Sequence, residues 1–148
     1  EFILKAVAVA RVDRVQLHGE HRAESVARLA RTLGPERLIR VLWPRRYADR
    51  AALEADVHRL APNAGLFLLD AGLSGGGSGD RLDTAWLRGL RSPRPWLLAG
   101  GLNPENVVAA VGACAPDGVD FNSGLESEPG RKDPARIRAA LAVLRETA

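Results

Sequence analysis

The sequence predicts an α/β fold built on one parallel sheet, and three observations carry that prediction. Strand-like apolar runs begin near Val12, Leu38, Leu66, Trp96 and Val119, separated by 23 to 30 residues, the spacing of a strand plus a crossover helix. The segments between them have helical periodicity. Four phrases, Val15-Gln-Leu-His-Gly19, Leu68-Leu-Asp-Ala71, Leu98-Ala-Gly-Gly-Leu102 and Val119-Asp-Phe-Asn-Ser-Gly124, run from apolar residues abruptly into His, Asp, Gly or Asn. Parallel strands buried on both faces read as apolar runs, and a polar residue at their C-terminal end stands where such sheets open their sites.

The elements follow in order. Phe2 to Ala10 reads as a helix ahead of a first strand spanning Val12 to Leu17. Glu24 to Leu33 puts Val26, Leu29, Ala30 and Leu33 on one face, and Asp49 to Leu60 does the same with Leu53, Val57 and Leu60. Arg136 to Leu144 aligns Ile137, Leu141 and Leu144. Asn103-Pro104-Glu105 reads as an N-cap, a proline at the first helical position and an acid in the first turn, and Asp133-Pro134 repeats the device. Trp86 is expected to pack for a helix that follows the glycine-rich stretch Gly75 to Gly79. Residues 1–148 are read as one domain. Its five strands leave two bare edges and an open face, so a second copy or a complementing chain is expected to cover them.

Composition narrows the function. Net charge is +3, and 19 of the 21 basic residues are Arg. They are scattered among acids without aromatic interleaving, which argues against nucleic acid and suits a small anionic substrate. No apolar stretch approaches the ~20 residues that span a bilayer, and no secretory pattern opens the chain. With Cys114 alone there is no intrachain disulfide, so a cytoplasmic protein is expected. The three His share no local motif, and no metal is predicted.

Several residues are candidates for chemistry. Asp70 ends the run Leu66 to Leu69; it is either a turn-opening Asp or a catalytic residue at the mouth of a site. His18 ends the first strand, as a core or capping residue or as a catalyst. Gly100 and Gly101 precede the turn at Asn103, and Asn122, Ser123 and Gly124 follow the last strand. Two glycine-bearing turns on consecutive strands favour phosphate binding, because glycine lets backbone amides approach closely and a helix end adds favourable partial charge. Asp120 is too polar for a simple core position. Lys132 and Asp133 are explained by an ion pair and a helix cap. Cys114 resembles no catalytic motif and reads as inert.

The order and wording of the four phrases resemble the later part of phosphoribosylanthranilate isomerase, a (β/α)8 TIM-barrel enzyme of tryptophan biosynthesis. By that resemblance the chain is a partial barrel of about five βα units, since a full barrel needs roughly 200 residues. The family converts N-(5-phosphoribosyl)anthranilate to 1-(2-carboxyphenylamino)-1-deoxyribulose 5-phosphate by an Amadori rearrangement, without a cofactor. The resemblance makes Asp70 the general acid and puts His18 and Asp120 against the substrate. It gives Gly100, Gly101, Asn122, Ser123 and Gly124 to the phosphate, and lays Gly76, Gly77, Ser78 and Gly79, with Asp83 shortly after, over the site. Asn122 stands where the family usually has Ser. The family's general base is a Cys in a Lys-Ile-Cys-Gly-like phrase on the first strand, and an early Arg faces the anthranilate carboxylate. Neither has a match in this sequence, which starts at Glu1 and not at Met. The chain by itself is therefore expected to show little or no isomerase activity. The alternative is a non-catalytic phosphate-binding partial barrel that completes its sheet with another chain. A third reading, indole-glycerol-phosphate synthase, is disfavoured by Asp70 and the Gln16-Leu17-His18-Gly19 phrase.

Overall fold

The computed structural model describes residues 2–70 and 84–146. Five strands, β1 (Val15–Leu17), β2 (Leu38–Leu42), β3 (Leu66–Asp70), β4 (Trp96–Ala99) and β5 (Gly118–Val119), form one parallel sheet in chain order. Between and around them lie helices α1 (Phe2–Ala10), α2 (Ala23–Leu33), α3 (Arg50–Leu60), α4 (Val107–Cys114) and α5 (Pro134–Arg145). A small antiparallel pair, β6 (Glu126–Glu128) and β7 (Arg131–Lys132), precedes α5. Because each strand pairs with the next in sequence, all five C-terminal ends open on one rim.

Alternation along the strands divides the burial. Phe67 and Leu69 face the helices and join Leu53 and Val57 of α3, Leu87, Leu98 and Ala110 of α4 in the main core. Leu17 and Leu38 pack against Val26, Leu29 and Ala30 of α2. The opposite sheet face carries a smaller apolar cluster of Val41, Trp43, Leu68 and Ala99. That second cluster is the reason β2 to β4 read as continuous apolar runs, each face being buried.

Several boundaries differ from the sequence reading. β1 starts at Val15, not Val12, because the Arg37 guanidinium takes the Val12 and Asp13 carbonyls (2.6 and 2.9 Å) and holds them out of the ladder. α4 starts at Val107; Asn103 opens a preceding turn. In α5 the buried residue is Ala140, with Ile137 and Leu144 half-buried beside it, while Leu141 is 49% exposed. Thr84–Leu87, carrying Trp86, is a 3-10 turn; Trp86 does pack on the core, and Leu87 is fully buried. The β6–β7 hairpin had no expectation attached to it. Asp49 caps α3 by accepting from Ala52 N (2.8 Å), and Asp133 caps α5 through Ala135 N (2.7 Å), the latter as the Asp133-Pro134 phrase predicts.

Candidate active site

The rim at the C-terminal ends of the strands holds a cavity of about 190 Å³. It is lined by Gln16 and His18 after β1, Leu68 and Asp70 of β3, and Ala99, Gly100 and Gly101 of β4. Asp120, Asn122 and Ser123 after β5 complete the lining. Thus residues up to a hundred positions apart meet because every strand points the same way. Sheet register sets the row: Asp70 pairs with Ala99, and Asp120 N donates to Leu98 O at 2.8 Å, so Ala99 lies between two carboxylates. Its short side chain leaves the space above it to a ligand.

Asp70 is half-buried at the last position of β3. Asp120 is more open, yet its carboxyl is held above the ordinary carboxylate range. Burial is the first cause and the negative charge of Asp70 the second, with Lys132 opposing both.

The two glycine-bearing loops are built to stand close. Gly100 and Gly101 have φ of 104° and 68°, in the left-handed region. Gly124 needs space, not an unusual φ: a Cβ there would come within 1.9 Å of Leu102 O. It therefore packs one loop against the other at the Leu102 carbonyl. Each loop has a brace. Asn106 Nδ2 donates to Gly101 O (3.0 Å), and Lys132 Nζ donates to both Asn122 O (2.9 Å) and Asn122 Oδ1 (2.7 Å) while bonding Glu126 Oε1 (2.7 Å).

The helix-end contribution expected near Asn103 is largely spent within the turn itself. Asn103 Oδ1 accepts from Glu105 N and Asn106 N, and Asn106 Oδ1 accepts from Asn103 N. Gly100, Gly101, Asn122 and Ser123 line the cavity itself. Lys132 is an ion-pair partner of Glu126, as its sequence context suggests, but it also locks the Asn122 loop.

His18 lines the cavity and meets the edge of Trp43, ring centroids 5.1 Å apart at 87°. Sequence reasoning did not single out Trp43 or Gln16; Gln16 carries the alternation signal, two residues before His18, and Trp43 follows the β2 run as ordinary core. Burial pushes the Cys114 thiol up to about 11, consistent with an inert residue. Gly76, Gly77, Ser78, Gly79 and Asp83 lie outside the described residues. Among the described residues no cluster of three metal-ligating side chains gathers, and no helix is long and apolar enough to cross a membrane.

A family model described as N-(5'phosphoribosyl)anthranilate (PRA) isomerase matches residues 1–143. An N-(5'-phosphoribosyl)anthranilate isomerase of Desulfovibrio desulfuricans is 53% identical over 143 residues, 97% of this chain and 66% of that protein. Its namesake in Maridesulfovibrio salexigens is 39% identical over 142 residues, 96% of this chain and 67% of that protein. Among solved structures, the isomerase of Thermus thermophilus gives a TM-score of 0.80 at 30% identity, covering 99% of this chain and 68% of its own. Another, an isomerase in complex with reduced 1-(o-carboxyphenylamino)-1-deoxyribulose 5-phosphate, gives 0.72 at 27%, covering 99% and 66%. The chain thus spans about two thirds of the length of the relatives it matches.

Proposed function

Because the chain belongs to the N-(5'-phosphoribosyl)anthranilate isomerase family, we propose that its rim cavity binds the phosphoribosyl end of N-(5'-phosphoribosyl)anthranilate and supplies the acid for its Amadori rearrangement in tryptophan biosynthesis. The observation that carries this is the sharing of one cavity by Asp70, Asp120 and both glycine-bearing loops. The phosphate sits between the Gly100–Gly101 and Asn122–Ser123 loops, held by backbone amides. Asp70 protonates the ribose ring oxygen as the C1–O bond breaks and the anilino nitrogen lone pair forms the C1=N bond. A base then takes the C2 proton, the C–H electrons form the C1–C2 double bond, and the C=N pair returns to nitrogen. The resulting enolamine tautomerises to the ketone. His18 and Asp120 line the sugar.

Two readouts test the reading. Affinity is measured for reduced 1-(o-carboxyphenylamino)-1-deoxyribulose 5-phosphate, the compound bound in one solved isomerase. Turnover is measured in a chimera in which this sequence replaces the matched part of the Desulfovibrio relative. Asp70→Asn is expected to leave affinity within about threefold and to lower turnover by about 10²–10⁴-fold. Unchanged turnover in Asp70→Asn rejects the acid assignment. Failure of the unsubstituted chain to bind the compound rejects the site.

A further inference from the structure

A second cavity, of about 380 Å³, lies behind Trp43, between the loop after β1 and the loop after β2. Its walls include Arg40, Arg46, Arg59, Trp43, Tyr47 and His21. It shares no lining residue with the rim cavity, and Trp43, touching His18, stands between the two.

Arg40 is the unusual member. It lies in the middle of β2, is only 8% exposed, and its Nε is buried without a hydrogen-bond partner. Two carboxylates also line the cavity: the exposed Glu20, which pairs with Arg46 at 3.8 Å, and Asp56, whose oxygens are already committed. Asp56 Oδ2 accepts from Tyr47 Oη at 2.7 Å, and Asp56 Oδ1 is taken by the Arg59 guanidinium. A guanidinium keeps its proton under ordinary conditions, so Arg40 cannot escape by becoming neutral. Burial first and the charge of Arg59 second work against its charged form, with Asp56 and Tyr47 opposing them only in part. Among the described residues, the buried side-chain nitrogens that lack a partner are Arg40 Nε and Trp43 Nε1. Both are donors, and both residues border this cavity. Arg46 stacks over the Trp43 ring at 4.5 Å, adding a second guanidinium to the same wall.

A buried cation beside unsatisfied donors lacks an acceptor of negative charge. We propose that this cavity is an anion site separate from the rim cavity, taking a small metabolite that presents a phosphate or carboxylate to Arg40, with Arg46 and Arg59 around it. The cavity is large enough for an organic group beside the anion, against Trp43 and Tyr47. Occupancy is then felt at His18 through the shared Trp43 contact. The inference stands independently of the isomerase reading.

Inorganic phosphate and acetate are the probes, titrated into ¹⁵N-labelled protein. The Trp43 indole N–H and Arg40 Nε–H resonances report this cavity, and the Gly101 and Ser123 amides report the rim. A saturable shift at Trp43 is expected with at least one probe, and the stronger probe identifies the anion class. Arg40→Met should weaken that response by about tenfold or more while the Gly101 and Ser123 responses stay as they were. Arg59→Gln, a change at an exposed side chain that keeps the fold, should weaken it by about threefold. The proposal is overturned if neither probe moves Trp43, if Arg40→Met responds like the unsubstituted protein, or, should Arg40→Met not fold, if Arg59→Gln leaves the affinity unchanged.

Discussion

Gly124→Ala isolates the packing of the two loops from their chemistry. The added Cβ would lie 1.9 Å from Leu102 O, against the 3.4 Å at which ordinary contact begins, so the loops must part by about 1.5 Å. The obstructing atoms are backbone on the Leu102 side, and that backbone is tied down by the Asn103–Asn106 bonds and the Asn106–Gly101 brace. The Asn122 side is equally held by Lys132. A misplacement of that size at a positioned group costs on the order of 10²-fold. Overpacking adds a loss of about 1–3 kcal/mol in stability, or several degrees in melting temperature at roughly 2–4 °C per kcal/mol. Calorimetry with the reduced product compound and with inorganic phosphate should therefore show both affinities falling together, in protein that is still folded by circular dichroism. Affinities within about twofold of the unsubstituted chain would refute the idea that the loops form one phosphate clasp.

Lys132→Met removes the lock on Asn122 without touching the cavity wall, and phosphate affinity should drop by about tenfold, read in the same calorimetric titration. Replacing Asp70 by Asn removes the charge that helps hold the Asp120 proton, so the NMR titration midpoint of the Asp120 carboxyl should move to lower pH. The raised Asp120 value also sets a stability sign: its contribution is intact below the unfolded carboxylate range and is lost as pH rises through the folded value. Asp120→Asn should thus melt higher than the unsubstituted chain near neutral pH, with the gap closing in acid. Glu54 has the opposite sign. Bonds from Arg91 N and its guanidinium hold it below the ordinary Glu range, so its contribution is present above that range and lost as pH falls through the folded value. Glu54→Gln should melt lower at neutral pH and converge with the unsubstituted chain in acid.

The strand order and the rim were legible because buried parallel strands leave a plain signal: an apolar run, then a sudden polar or glycine residue. Leu66 to Asp70 and Trp96 to Gly101 show it most clearly, and the structure gathers Asp70, Gly100, Gly101, Asp120, Asn122, Ser123 and His18 around one cavity. What stayed hidden depends on contacts between distant segments. Nothing near Val12 announces that Arg37, 25 residues later, will take its carbonyl and delay β1. Gly124 looks like a phosphate-loop glycine from its neighbours, whereas its requirement comes from the Leu102 carbonyl. On α5 the expected Ile137 and Leu144 do turn inward, but Ala140, too small to mark a hydrophobic stripe, makes the fully buried contact and Leu141 does not. Nothing in the residues around Arg40 marks it as a buried charge, yet it is only 8% exposed in the middle of β2.

The most direct test is a crystal structure of the chain with reduced 1-(o-carboxyphenylamino)-1-deoxyribulose 5-phosphate. The phosphate is predicted within about 2.7–3.2 Å of the Gly101 and Ser123 amides, with the sugar running between Asp70 and Asp120. A phosphate bound elsewhere, whether at the Arg40 cavity or on the outer helices, would contradict the account of the rim as the substrate site.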